Sequence, residues 1–187
     1  MTNLEEINKY WQKACKCKLK KTATQAVFGD GNPKAKIVFI GEAPGKNEDL
    51  EGRPFIGRAG KFLAEMLNTI KLTREDVYIT NIVKYRPPNN RDPEPKEKNA
   101  CREWLLEELN FIKPKLIVFL GRHSMNDFFP DLKISEVHGK LLKNKFSNLK
   151  TENFLALYHP AVALYNGKLR ETLIKDFEKI PKVLKKI

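Results

Sequence analysis

The side chains best suited to chemistry lie just after short apolar runs of the chain. Glu42 follows the first run, Asn81 lies near the end of the second, and His159 follows the fourth. A carboxylate can orient water, and a histidine can donate a hydrogen bond to an oxygen that gains negative charge as a group leaves. An amide both donates and accepts, so Asn81 can match the N3–H and O4 edge of a pyrimidine.

An irregular segment, residues 47–58, adds a second carboxylate and an aromatic face. Glu48 lies near its start, and Phe55 supplies a flat ring on which a base can stack. The turn before it is rich in glycine and proline, and such turns can aim backbone N–H groups into a site. Its residues are further candidates for substrate binding: Gly41, Ala43, Pro44 and Gly45.

Each candidate also has a purely structural explanation. Glu42 or Glu48 can cap a following helix, and Asn81 can cap a turn. Phe55 can belong to the core, and a histidine before proline is commonly a satisfied loop residue. The functional interpretation therefore depends on whether the residues converge in the fold.

Four apolar runs predict the strands that would position these residues. They are 36–40 (KIVFI), 77–83 (VYITNIV), 116–120 (LIVFL) and 154–158 (FLALY), and nearly continuous apolar runs are typical of strands covered on both faces. Residues 60–71, 96–112 and 169–180 show helical spacing. The alternation predicts an α/β fold, a single-domain three-layer α/β/α structure over residues 1–187 with a central four-stranded, mainly parallel sheet.

The carboxyl ends of parallel strands meet at one edge of a sheet, where ligands bind at the topological switch point. The turn at 41–45, Asn81, Gly121 and His159 each follow or end one of the four runs. We therefore expect one pocket to hold them all, and their convergence favours function over the structural explanations.

The balance of charge favours a polyanionic partner. Lys and Arg total 35 against 23 Asp and Glu, a net charge of +12, although a lysine-rich solvated surface is the alternative. Four basic residues lie in or beside the candidate loops, where a phosphate backbone would pass: Arg58, Lys84, Arg86 and Arg91. The N-terminus lacks the apolar run of a signal peptide and no segment approaches the ~20 apolar residues of a membrane span, so we expect the protein to act in the cytoplasm. We also expect a monomer.

Three motifs, in this order, resemble those of the family 4, iron-sulfur type uracil-DNA glycosylases. They are GEAPGKNEDLEGRPFIGRAGKFL at 41–63, YITNIVKYRPPNNRDP at 78–93 and HPA at 159–161. The resemblance extends from Cys17 to about Leu164. It implies the superfamily's fold and a hydrolase that cuts the N-glycosidic bond of deoxyuridine in single- or double-stranded DNA, releasing uracil and leaving an abasic site.

The resemblance also implies a role for each site residue. Phe55 stacks on the flipped uracil, Asn81 reads its polar edge, and His159 hydrogen-bonds O2 as uracil leaves as an anion. Glu42 shapes the site and the water position, and Glu48 lies near the C5 edge, where it excludes the methyl of thymine. The base must be flipped because its glycosidic bond is out of reach inside a duplex.

A wedge loop after His159 is implied as well. Leu164 would fill the stack that the flipped base vacates, and Tyr165 stands where an arginine is usual in the family. We also assign His138 to the DNA-binding set.

The family binds a four-iron four-sulfur cluster through four cysteines, and this chain has three. Cys17 and Cys101 stand at matching positions, Cys15 is one residue too close for the C-x-x-C spacing, and Tyr85 replaces the cysteine before the RPP tripeptide. We expect no intact cluster and Tyr85 as ordinary core. The alternative is a cluster with a non-standard ligand set that includes Cys15.

Other functions remain open at this point. A glycosylase of the same superfamily for another deaminated base, such as hypoxanthine, is the main rival, and a non-catalytic module that binds uracil or abasic DNA is the second. A nucleotide-binding enzyme is less favoured, because the first strand is not followed by a phosphate-binding glycine motif.

Overall fold

A computed structural model describes residues 3–187, and within that range six strands form one sheet. The strands are β1 Asp30–Gly31, β2 Ile37–Gly41, β3 Tyr78–Asn81, β4 Leu116–Leu120, β5 Leu141–Lys143 and β6 Asn153–Leu157. Their order is β1-β3-β2-β4-β6-β5, with the inner four parallel and the two edge strands antiparallel.

The inner strands are the four that the apolar runs predict, so the α/β fold is confirmed, while the strand count of four is too low. The two additional strands have two and three residues and are only partly buried. Strands this short and half-exposed leave no apolar run in the sequence.

Helices cover the sheet and follow its strands along the chain. Their bounds are α1 Leu4–Ala14, α2 Lys46–Glu51, α3 Arg58–Thr69, α4 Pro95–Ile112, α5 Arg122–Asn126, α6 Ile134–Val137, α7 Pro160–Ala163, α8 Gly167–Phe177 and α9 Ile180–Leu184. Helix α4 starts at Pro95 because Glu94 and Glu97 form a capping box around it. None of the helices described within residues 3–187 is long and apolar enough to cross a membrane.

Alternation along the strands places a core on each face of the sheet, which gives the predicted three layers. Phe39 of β2 points toward α3 and α8, whereas its neighbours Val38 and Ile40 point toward α4. All three side chains are fully buried. The continuous apolar run of β2 is therefore explained by cover on both faces.

The strand order creates a switch point beside β2. The crossover through α3 leads from β2 to β3 on one side, and β4, reached through α4, lies on the other. Connections that leave in opposite directions open a crevice at the carboxyl ends of the strands. Gly41, Asn81, Gly121 and His159 end or follow those strands, so the fold brings them to one edge.

Candidate active site

A cavity of about 370 Å³ opens at this edge, within the usual size of small-molecule sites. It is lined by Glu42, Ala43, Pro44, Gly45, Glu48, Phe55, Ala59, Asn81, Pro87, Asn90, Arg91, His159 and Ala161. The side chains that the sequence offered for chemistry therefore share this cavity, whereas Gly41 and Gly121, expected in the same pocket, do not line it. Gly121 lines a neighbouring cavity instead.

Gly41 lies against two of these side chains. A Cβ at this position would lie 2.5 Å from Asn81 Oδ1 and 2.6 Å from the Phe55 ring. Such separations are shorter than any real contact of a Cβ, so a side chain here would displace the amide or the ring. Gly41 thus lets Phe55 and Asn81 approach the same space.

Phe55 is held in an unusual backbone conformation. Its φ is +53°, in the left-handed region that costs a non-glycine residue on the order of 1–3 kcal/mol. Arg74 offsets this cost: Nη1 donates to the carbonyl of Phe55 at 2.9 Å, and Nη2 donates to that of Pro54 at 2.8 Å. Asp30 binds the same guanidinium at 3.1 Å. Arg74 was not foreseen, because it lies 19 residues from Phe55 in a segment without a motif.

Glu48 closes the other end of this loop. Its Oε1 accepts hydrogen bonds from the backbone N–H groups of Ile56 at 3.1 Å and Gly57 at 2.9 Å. The second oxygen, Oε2, would lie 2.8 Å from a Cβ on Gly45, so it faces the turn at 41–45. Glu48 therefore fixes the loop with one oxygen and lines the cavity with its carboxylate.

Asn81 carries a buried amide whose oxygen can accept a hydrogen bond from a ligand. The residue is 2% exposed, and its Oδ1 has no hydrogen-bond partner among residues 3–187. An unsatisfied buried acceptor costs about 1–3 kcal/mol. A ligand N–H in the cavity would satisfy Oδ1.

His159 combines two tasks in one ring. As the N-cap of α7, its Nδ1 accepts the backbone N–H of Ala161 at 3.1 Å. An accepting Nδ1 is unprotonated, so the neutral ring carries its proton on Nε2. Burial, together with the nearby His123, lowers the pKa of His159 to about 4. The ring centroid lies 5.7 Å from that of Phe55, which places this donor beside the aromatic face.

Glu42 has two neighbours that sequence reasoning missed. His123 lies between two carboxylates, with Nδ1 3.4 Å from Glu42 Oε1 and Nε2 3.4 Å from Asp92 Oδ2. Burial, together with the negative charge of Asp92, raises the pKa of Glu42 to about 7. A signal for His123 existed, since it follows β4 by three residues at the carboxyl edge.

The arginines assigned to DNA lie around the mouth of the cavity or in its loops. Arg91 lines the cavity and pairs with Glu97 through both terminal nitrogens, at 2.7 and 2.8 Å. Arg86 donates to Asn90, also a lining residue, at 2.7 Å. Arg58 begins α3 and donates to the hydroxyl of Tyr165 at 2.8 Å.

The assignment of Lys84 to DNA is wrong. Its side chain is fully buried, and its ammonium pairs with Glu108 of α4 and donates to Thr80 Oγ1 and to the carbonyl of Asn81. Lys84 follows β3, and its side chain packs between β3 and α4, where Glu108 neutralises its charge. A phosphate cannot reach it there.

Two other candidates lie outside the cavity. His138 is partly exposed, with Nδ1 2.6 Å from Asp176 and its ring against Tyr158. Leu164, the expected wedge, is the C-cap of α7 and packs partly buried against the core. The next residue, Tyr165, is 76% exposed.

The cysteines do not offer the four thiolates of the family's cluster. Cys15, Cys17 and Cys101 are buried together beside Tyr85, while Ala14, at the position expected for the first ligand, is exposed. Cys15 has turned inward in its place. Three thiols and a phenol are the donors of this site, so they do not fit a four-cysteine cluster.

Comparisons with known proteins agree with this geometry. Residues 28–185 match the model of the uracil DNA glycosylase superfamily. The chain is 49% identical to a type-4 uracil-DNA glycosylase of Archaeoglobus fulgidus, covering 96% of this chain and 92% of that one. It is 40% identical to a type-4 uracil-DNA glycosylase of Thermotoga maritima, covering 98% and 95%.

A solved structure shows the same fold. SMUG2 of Pedobacter heparinus superposes with a TM-score of 0.54 at 15% identity, over 82% of this chain and 77% of that one. The family match, and sequence identities of 40% and 49% over nearly the full length of the chain, together show that the chain belongs to the type-4 uracil-DNA glycosylases.

Proposed function

We propose that the cavity at the sheet edge hydrolyses the N-glycosidic bond of deoxyuridine in DNA, releasing uracil and leaving an abasic site. The observation that carries this proposal is the convergence of three groups on one small cavity: the Phe55 ring, the unsatisfied Asn81 amide and the Nε2–H of His159. They are the stacking face, the reader of a polar edge and the donor that a departing pyrimidine needs.

Recognition follows from the cavity walls. A flipped uracil stacks on Phe55, and its N3–H satisfies the free Oδ1 of Asn81. The amide N–H₂ then faces O4, which distinguishes uracil from cytosine, whose amino group would donate there. Glu48, fixed by two backbone N–H groups, occupies the side where thymine would carry its methyl group.

Bond cleavage leaves negative charge on the base and positive charge on the sugar. The neutral His159 donates from Nε2 to O2 of the departing uracil anion, at no cost for reorganisation because the helix cap already fixes the ring. Glu42 accepts a proton from the water that adds to C1′. Its pKa of about 7 suits a general base near neutral pH.

The basic loops bind the DNA strand on either side of the flipped nucleotide. Arg91 lines the cavity and Arg86 contacts the lining residue Asn90, which supports phosphate contacts by these residues and by Arg58. The net charge of +12 attracts the polyanion from a distance. We extend the proposal to single- and double-stranded uracil-containing DNA, to a monomeric enzyme and to action in the cytoplasm.

The proposed reaction uses no cluster. Each catalytic group described above belongs to the cavity, and the cysteines belong to a separate buried group. We therefore propose that an intact four-iron four-sulfur cluster is not part of this enzyme. Iron and acid-labile sulfide in the anaerobically purified protein would contradict this statement.

Uracil release from oligonucleotides tests the function. Oligonucleotides that carry a single uracil, hypoxanthine, xanthine or thymine separate the uracil activity from that of a glycosylase for another deaminated base. We expect release of uracil and retention of thymine.

Variants of Asn81 and His159 identify the site. His159→Asn keeps an N-cap acceptor for α7 but lacks the Nε2–H, so we expect kcat to fall by about 10²–10³ with the fold retained. Asn81→Ala should weaken both recognition and rate. If the parent binds uracil-DNA without releasing the base, and both variants bind equally well, the chain is a binding module instead.

A further inference from the structure

His123 lies next to the active-site cavity without lining it. It is the second residue of α5, the short helix that starts at the carboxyl end of β4. The next two residues, Ser124 and Met125, are fully buried, and Ser124 Oγ and the backbone N–H of Met125 both donate to the carbonyl of Gly121, at 3.1 and 3.2 Å. The first turn of α5 is therefore fixed, and His123 lines a neighbouring cavity that shares Glu42 with the active site.

The hydrogen bonds around the ring determine which of its nitrogens carries the proton. Arg122 Nε donates to His123 Nε2 at 3.2 Å, so that nitrogen is an acceptor. A guanidinium cannot accept a hydrogen bond, and the proton of a neutral ring must therefore lie on Nδ1. Nδ1 is the nitrogen that faces Glu42. His123 thus directs a donor at the carboxylate.

Several charged groups act on the protonation of this ring. Burial lowers the pKa of His123, and the positive charges of Arg122 and Lys98 lower it further. Asp92 acts in the opposite direction, but its side chain is 66% exposed, so solvent screens its charge. The net effect is a pKa below the ordinary value of 6.5, so the ring is neutral at pH 7.

Glu42 has an oxygen that needs such a donor. Its Oε1 is buried and has no hydrogen-bond partner among residues 3–187. The distance from Oε1 to His123 Nδ1 is 3.4 Å, slightly beyond the range of about 2.7–3.2 Å for N–H···O bonds. Contacts of this kind are often long in an unliganded enzyme and tighten when the substrate binds. A small shift of either side chain therefore pairs the two atoms.

We infer that His123 is a positioning residue for Glu42: its Nδ1–H binds Oε1 and leaves Oε2 to take the proton of the attacking water. The inference rests on the proposed role of Glu42 as the general base. A carboxylate that is held at one oxygen keeps a fixed direction for the other, and loss of such alignment can cost about 10²-fold in rate. Because His123 does not line the cavity, it acts through Glu42 rather than on the substrate.

His123→Asn and His123→Gln form a matched pair of variants. The amide nitrogen of asparagine can take the place of Nδ1, whereas that of glutamine takes the place of Nε2. We expect His123→Gln to lower the single-turnover rate of uracil release by about 10–100-fold, because the donor to Oε1 is lost. His123→Asn should retain most of the parent's rate, because that donor remains. His123→Ala repeats the test if the glutamine variant does not fold.

The pH dependence of the single-turnover rate separates positioning from packing. A hydrogen bond to the ionised carboxylate lowers its pKa, so loss of this bond raises the pKa of Glu42 in the complex. The rise in rate should therefore move to higher pH in His123→Gln and stay in place in His123→Asn. Loss of packing alone would reduce the rate by the same factor at every pH.

Glu42→Ala tests whether His123 acts through the carboxylate. In this background His123→Gln should cause no further loss of rate, because the group that it positions is gone. A full additional loss in the double variant would overturn the inference, and so would a His123→Gln protein with the rate and pH profile of the parent. A parent that releases no uracil at any pH would overturn the proposed function, and this inference with it.

Discussion

Two causes raise the pKa of Glu42, burial and the charge of Asp92, and mutation can separate them. Burial is the larger cause, and Asp92, on the far side of His123, adds the repulsion of a second negative charge; with both, the pKa is about 7. As a general base, Glu42 acts only when it is ionised, so the rate of excision should rise with pH through about 7.

Removal of the charge of Asp92 should shift the pH at which the rate of excision rises. Asp92→Asn removes a negative neighbour, lowers the pKa of Glu42 and shifts the rise in kcat/KM to lower pH. The exposed Asp131, which does not act on Glu42, provides the control as Asp131→Asn. A limb that does not move in Asp92→Asn would exclude Glu42 as the titrating base.

Sequence reasoning found the residues that follow strands and missed those that support them. Asn81 and His159 could be located because each ends or follows an apolar run, and parallel strands finish at one edge. Asp92 lies in a loop and Arg74 begins a single 3₁₀ turn, and the sequence does not define the path of either segment, so their contacts appear only in the fold. Lys84 was misplaced because adjacency in sequence to a basic loop says nothing about which layer a side chain enters.

At the scale of elements, the loop from Glu48 to Gly57 depends on Arg74. Arg74→Met removes two hydrogen bonds to the carbonyls of Pro54 and Phe55, one of which lies in a left-handed conformation. We expect a loss of about 1–3 kcal/mol in the free energy of unfolding and a larger KM for uracil-DNA, because the stacking ring is no longer held.

Arg53 offers the matched control for this clamp. It also pairs with Asp30, at 3.0 Å, but no bond from it to the loop carbonyls is seen within residues 3–187. Denaturation and steady-state kinetics of Arg53→Met should therefore resemble those of the parent. If both variants behave alike, the ion pair with Asp30 matters rather than the clamp.

The turn that follows the short helix α7 exposes Tyr165 rather than Leu164 to solvent. Tyr165 is 76% exposed and its hydroxyl accepts from Arg58, whereas Leu164 packs on the core. An exposed aromatic ring can fill the stack left by a flipped base. We expect Tyr165→Ala to reduce excision from duplex DNA much more than from single-stranded DNA, where there is no stack to open.

Leu164→Ala separates the two residues. It should mainly lower stability, through loss of core packing, and affect both DNA substrates equally. The opposite pattern, with the duplex-specific loss in Leu164→Ala, would restore Leu164 as the wedge.

Across the whole molecule, a buried ion pair joins the sheet to α4. Lys84 and Glu108 are both fully buried, and Lys84 also binds the carbonyl of Asn81. Removal of one partner leaves an uncompensated buried charge, so Lys84→Met should cost about 3–5 kcal/mol in chemical denaturation. Lys84→Met combined with Glu108→Leu should recover much of this loss.

The exposed pair Lys9–Glu5 is the control, and Lys9→Met should unfold like the parent. A Lys84→Met protein as stable as the parent would mean that the buried pair adds nothing to the connection between the sheet and α4.

The layered fold could be predicted because the four parallel strands are buried on both faces of the sheet, and such strands need continuous apolar runs. The edge strands at Asp30–Gly31 and Leu141–Lys143 could not, since pairing on one side needs only backbone groups and leaves the side chains unconstrained. For the same reason, the carboxyl edge formed by the four inner strands could be predicted from the sequence, whereas the total number of strands could not.

Because His159 caps the N-terminus of α7 with a titratable ring, acid should weaken the structure first at this helix. Its pKa is 6.5 in an unfolded chain and about 4 in the folded one, so acidification between these values removes on the order of 3 kcal/mol of stability. Once Nδ1 takes up a proton it can no longer accept the N–H of Ala161, and the turn that leads to Tyr165 loosens. Near pH 4 the enzyme should therefore lose excision from duplex DNA, as this turn loosens.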